Sequence, residues 1–298
     1  MAYAITADIS RMLVAGQKQV FTKNFESFPL EYPTFTTPKS AEKLTESYDS
    51  MGNLKAAEEK QEGSDIKYGK ITQAYQTLIT NKTWANGFEV TLEAIKYDLY
   101  KVLKGAAAKE LARTMRELEE TNAIYWIDNI DSVNLADGVP CASNSKPLID
   151  SALLNDTLAT GGSIADPDVH KATINMFYDF KNHAGGPMKS KATNGLTHYH
   201  NQMTVEEVYS SINKAGEMSN TKNRLPMLKW SYSTYMSSQD AFLMWDNRFE
   251  HILMQTYMGA EFANDTDGIY TKNQYYNAVA MYQTGCLPNI GIVYNAGA

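Results

Sequence analysis

The chain has 298 residues and a mass of 33.3 kDa, with 43% hydrophobic and 20% charged residues, 9 Pro, 18 Gly and 2 Cys. A compact chain of that mass exposes about 12,600 Å² against about 48,000 Å² unfolded, which leaves room for one large or two ordinary cores. No run approaches the ~20 apolar residues of a membrane helix, no signal-peptide pattern opens the chain, and Cys141 and Cys286 lack metal-type spacing. Transmembrane, collagenous and disulfide-scaffold classes are excluded, and a reducing cytoplasmic setting is expected. With 27 basic and 34 acidic residues the net charge is −7 and the pI about 5.3, which argues against a broad phosphate-neutralising surface. The 19 Tyr against 5 His leave two readings open: amphipathic rings at contacts, or a Tyr-rich core and sheet.

The first twenty residues read as a short amphipathic helix, with Asp8 as N-cap and Ile9, Met12, Leu13 and Val20 near one face. Pro29, Pro33 and Pro38 then impose an extended path. Residues 42–67 carry seven acids (Glu42, Glu46, Asp49, Glu58, Glu59, Glu62, Asp65) against four lysines (Lys43, Lys55, Lys60, Lys67), with only five large apolar residues. Such a stretch cannot bury a core of its own and is expected to project as a long loop or hairpin.

The run 71–80 has strand composition, Asn86-Gly87 reads as a turn, and 88–93 as a strand. From about Thr91 the period becomes helical, with a break at Gly105. Leu103, Ala107, Leu111, Met115, Leu118 and Tyr125 form an inward stripe, and Arg113–Glu117 and Arg116–Glu120 are outer i,i+4 pairs. Glu93 and Asp98 suit the start of this helix through its dipole. The helix is predicted to end near Trp126–Asp128. Turn signals follow at Asp137-Gly138, Gly161-Gly162, Gly185-Gly186 and Asn194-Gly195. Asp166 or Asp168 caps a helix through 170–183 with Ile174, Phe177 and Tyr178 inward, and a second helix covers 203–214. Strands are expected at 228–236, 240–246, 275–285 and 290–295, giving an α+β class.

Catalytic motifs are scarce: no phosphate loop, nucleophile elbow, H-E-x-x-H or C-x-x-C occurs. His198-Tyr199-His200 on a strand would aim two imidazoles the same way, so a metal with Asp179 or His183 as third ligand defines one alternative, a soluble metal-dependent enzyme. The other reading of these histidines is a polar strand end. Cys141 and Cys286 read as small packed side chains, and the chain as no enzyme, with no cofactor.

The order of these features resembles tailed-phage major capsid proteins of the Hong Kong 97-like fold. The resemblance lies in the charged segment 40–80 with its Glu62-Gly63…Tyr68 passage and in the approach to the spine helix through Gly87, Phe88, Thr91, Glu93 and Asp98. It continues through the spine-like 108–129, the stretch 160–188 after Asp137-Gly138, and the run 228–255. It departs from some members at Pro140-Cys141-Ala142-Ser143, where they carry a Phe-x-x-x-His-Pro passage.

The resemblance implies an N-terminal arm (1–30), an extended loop with flanking strands (31–82), a spine helix and peripheral domain (83–135), an axial domain (136–261) and a C-terminal return to the peripheral domain (262–298). It implies a structural protein that self-assembles as pentamers and hexamers into an icosahedral shell around double-stranded DNA, without sequence-specific binding and without a membrane. A virion location follows, with assembly in the host cytoplasm. A portal, a decoration protein and a scaffold become expected partners, the scaffold either a separate protein or a segment removed by processing, with the start at Met1 favouring the separate protein. An encapsulin-like nanocompartment shell is the alternative with the same fold. Contacts between copies are expected from Glu58, Glu59, Lys60 and Glu62 of the loop, facing Lys109, Arg113 and Arg116 on the outer face of a neighbour's helix.

Overall fold

Apolar residues returning every three or four positions make a helix that must bury one face, and here that face seats on a sheet. The computed structural model describes residues 3–54, 57–66, 68–69, 71–91, 102–214, 222–266 and 274–297. The helix, α2 (Val102–Asp128), follows α1 (Tyr3–Ser27) and the strands β1 (Thr37–Ser40), β2 (Thr45–Met51), β3 (Gln73–Thr80) and β4 (Lys82–Val90). Short strands β5 (Lys146–Pro147), β6 (Leu154–Asn155) and β7 (Leu158–Ala159) precede α3 (Pro167–Asp179), β8 (Asn194–His198) and α4 (Gln202–Ser210). The chain closes with β9 (Lys229–Ser233), β10 (Phe242–Trp245), β11 (Ile252–Thr266), β12 (Gln274–Cys286) and β13 (Ile292–Asn295).

Two sheets organise these elements. The first has the order β1-β11-β12-β4, with β1 parallel to β11 and the rest antiparallel. Ala108, Leu111, Ala112 and Met115 of α2 lie on it against Met254, Tyr276, Ala278, Ala280 and Tyr282, with Phe21 of α1 in the same cluster. The two alanines let the helix approach closely enough for the tyrosine rings to fill the gap. The second sheet has the order β7-β13-β10-β8-β9 and packs Phe242, Met244 and Val293 against Ile174 and Phe177 of α3 and Val205 of α4. Ala123, Ile124 and Ile127 from the last turns of α2 join Leu196, Leu243, Ile252 and Ile292, so one helix is shared by both cores. The 261/262 boundary expected from sequence falls inside β11, and β13 belongs to the second sheet.

Several local expectations change. The first helix runs from Tyr3 through Asp8 without a stop, so Asp8 sits inside α1 and not at its N-cap; the alanine-rich start favours helix. The side chains of Ile9, Met12, Leu13 and Leu103, and residues Glu93 and Asp98, lie outside the described residues. Gly105 does not break α2; its cost of about 1 kcal/mol relative to Ala is small beside the packing of a 27-residue helix. Tyr125 and Tyr178 are exposed, not inward, and Ala107 is only half-buried. Asn86-Gly87 and Asn194-Gly195 are not turns but strand residues. Each glycine is required by close approach: a Cβ on Gly87 would stand 2.7 Å from the Tyr276 carbonyl oxygen, and one on Gly195 2.7 Å from the Trp230 ring. The Gly138 and Gly185 turns do form, both at positive φ. Asp166 caps α3, its Oδ1 accepting from the Asp168 N–H at 2.8 Å.

Candidate intersubunit surfaces

β2 and β3 pair as an antiparallel hairpin outside both sheets. Its root is fixed. Ile79 lies against Gly285 and packs with Leu253 and Leu287, while Tyr48 donates to Gln255 Oε1 at 3.1 Å. Midway, the His183 backbone N–H donates to Asn53 Oδ1 at 3.2 Å, and Gly52 passes beside the Asp150 carboxylate. Burial lowers the His183 pKa, against the pull of Asp150. Among the described residues beyond this point the hairpin has no core: Leu54, Ile66, Tyr68 and Ile71 are exposed, Tyr68 at 89%. Glu58, Glu59, Lys60 and Glu62 are exposed on the same segment. The accessible surface of the whole chain is 17,627 Å², well above the roughly 12,600 Å² of a compact chain.

The three cations expected on the outer face of the spine helix separate. Lys109 is exposed. Arg113 is exposed but held by its own helix, bonding Glu110 and Glu117, the latter at 2.5 Å. Arg116 is not on the outer face: its side chain is 14% exposed, its guanidinium lies 3.5 Å over the Phe25 ring, and it donates to the Phe25 carbonyl at 2.9 Å. Its acid is Glu119 at 2.6 Å and not Glu120, because the cation turns toward α1.

Glu120 has another task that the sequence pattern hid. Fully buried, it accepts the backbone N–H groups of Glu31 (2.6 Å) and Tyr32 (2.9 Å), where the chain turns from α1 toward β1. Burial pushes its carboxyl up to about 7 despite those two donors, with Glu31 and Glu119 adding to the rise. Glu31 in turn accepts from Thr234 N–H at 3.0 Å and Thr234 Oγ1 at 3.1 Å, and Asp128 from Ser237 Oγ at 2.7 Å. Carboxylates thus tie the arm, the spine and the second sheet together.

The histidines do not assemble a metal site. His198 ends β8, while His200 lies in the following 3-10 turn, so the two rings do not share a strand face. The His200 backbone N–H donates to His198 Nδ1 at 3.0 Å. Among the described residues no group of three His, Cys, Asp or Glu could hold a metal ion. Cys141 and Cys286 are free thiols, both buried in the shared core beside Ile127 and Leu196. Among the described residues no helix is long and apolar enough to cross a membrane.

No family model matches the chain, and no curated protein matches it by sequence. Solved structures do. The capsid of cyanophage P-SCSP1u superposes with a TM-score of 0.59 at 10% identity, covering 91% of this chain and 88% of that one. The mature capsid of bacteriophage PhiM1 gives 0.58 at 10% identity with the same coverage. The virus-like particle of Pyrococcus furiosus gives 0.55 at 8% identity, covering 95% and 98%. The fold is the Hong Kong 97-like capsid fold, α+β, as the resemblance in the sequence implies.

Proposed function

We propose that this chain is the major capsid protein of a tailed phage, assembling as pentamers and hexamers into an icosahedral shell around double-stranded DNA. The observation that carries the reading is the hairpin. A capsid fold spanning 91% of the chain carries an arm whose apolar residues Leu54, Ile66, Tyr68 and Ile71 have no core of their own to enter. Apolar groups left in water at about 25 cal/mol per Å² favour burial against a second copy. In this reading the first sheet with α2 is the peripheral domain and the second sheet the axial domain. Glu58, Glu59 and Glu62 of one copy then face Lys109 of the next, and Arg113 joins only by exchanging Glu110 or Glu117 for a neighbour's acid.

A separate scaffolding protein, a portal and a decoration protein are the partners such a shell takes, with assembly in the host cytoplasm and a final location in the virion. The role is structural and not enzymatic. A nanocompartment shell fits less well, since the two phage capsids superpose with the higher TM-scores.

Negative-stain microscopy of the expressed chain, alone and with a scaffolding protein supplied, tests this. Closed shells, tubes or five- and six-membered rings support it. A discrete monomer or dimer at high concentration, scaffold present, overturns it.

A further inference from the structure

Against a net charge of −7, one cleft is basic. It opens between α3 and the segment 222–226, with a volume of about 630 Å³, within the range of ordinary small-ligand sites. Lys171 stands on α3, and Lys214, Lys222 and Arg224 on the opposite wall. Among the described residues, the carboxylate lining it is Asp168, held by Lys214 at 2.6 Å. Among the described residues, Lys171, Lys222 and Arg224 form no salt bridge, and all three are exposed.

Hydrogen bonds hold the described residues of that wall. Asn213 and Lys222 form a backbone bridge, Asn223 Nδ2 donates to the Val208 carbonyl at 2.6 Å, and Asn223 Oδ1 accepts from the Leu225 N–H at 3.1 Å. Tyr178, 64% exposed, lines the same cleft. Like charges gathered on facing walls repel one another, a cost that a multiply charged anion between them removes. Arg supplies a fork matched to phosphate oxygens, lysines supply point charges, and an exposed ring is a platform for a base.

We propose that this cleft binds nucleoside phosphates, with Lys171, Lys222 and Arg224 on the phosphates and Tyr178 stacked on the base. An acidic protein segment would use the cations and leave the ring idle. The same chemistry is offered by a free nucleotide and by a single strand of nucleic acid. The proposal concerns one chain and does not rest on the shell reading, so either can fail alone.

The test is a titration of the full, unassembled chain at 50 mM salt with dTTP, with the oligonucleotide dT12 and with inorganic tripolyphosphate. Binding of dTTP or dT12 is expected to weaken at least about tenfold in the double variant Lys222→Gln/Arg224→Gln. Tyr178→Ala should weaken the base-bearing probe about tenfold and leave tripolyphosphate unchanged. All three sites are exposed, so circular dichroism should show the variants folded. If dT12 binds more tightly than dTTP, the occupant is a strand, and its log-log salt slope falls by about 1.4 in the double variant. If dTTP binds more tightly, it is a free nucleotide. Absence of binding by both, or equal binding by the double variant, overturns the proposal. So does displacement of dT12 by a peptide of residues 56–66 where tripolyphosphate fails to displace it, which would assign the cleft to a protein partner.

Discussion

The seat of the spine helix and the outer hairpin are built on opposite terms. In the seat, Leu111, Ala112 and Met115 are almost wholly buried against the tyrosines of β12; in the hairpin, Leu54, Ile66 and Ile71 are each more than half exposed. The first region holds itself together. Among the described residues the second is held at its root and midpoint, and its outer apolar residues Leu54, Ile66 and Ile71 stay exposed. On the proposed reading, folding and assembly are separable by region, and mutations can be aimed at one without the other.

The largest expected effect comes from removing residues 54–66. The unassembled chain should keep its stability within about 0.5 kcal/mol, while rings and shells disappear in microscopy. Normal shells from this deletion would mean the hairpin is not what joins copies. Paired truncations sharpen the contrast: Leu111→Ala should cost about 2–5 kcal/mol in denaturant unfolding, and Leu54→Ala less than about 0.5. Equal costs would erase the distinction between the regions.

Glu120 supplies a pH test confined to the body. Its carboxyl, raised from 4.5 to about 7 on folding, keeps in the folded state a proton that the unfolded chain releases. Its contribution is most favourable below pH 4.5 and is lost as pH rises through 7, a difference of about 3 kcal/mol. Glu120→Gln should remove that part of the pH dependence, read as the difference between the two unfolding profiles; identical slopes would refute the assignment. The smallest effect is expected of Arg113→Ala. Its exposed pairs within one helix should change unfolding stability by no more than about 0.5 kcal/mol. A larger loss would show that Arg113 holds more than its own helix surface.

What the sequence disclosed follows the reach of its signals. The hairpin was legible because charge excess and poverty of apolar residues are local properties, and the spine because its period persists over many turns. Asp166 was legible as a cap because a cap acts two residues away. The 15 residues of β11 were missed: Ile252–Gln255 are buried without alternation, and the later part carries two register shifts against β12, so no clean period survives. Asn-Gly in β4 and β8 misled because the glycines answer to Tyr276 and Trp230, far away in sequence. Arg116 misled for the same reason: its partner Phe25 lies 91 residues back. The tyrosines divide, with Tyr276 and Tyr282 buried in the core and Tyr68 and Tyr199 exposed.

The two fixings of the hairpin have a mechanical consequence. Ile79 grips the first sheet through Gly285, and Asn53 grips the loops beside the second sheet through His183. The hairpin is therefore a strut across two bodies, and its direction is set by their relative angle. Over the roughly 26 Å of an eight-residue strand, a tilt of about 7° would swing the far end sideways by about 3 Å. In the proposed shell, a change in the angle between the two sheets would re-aim the outer residues of the hairpin relative to the next copy.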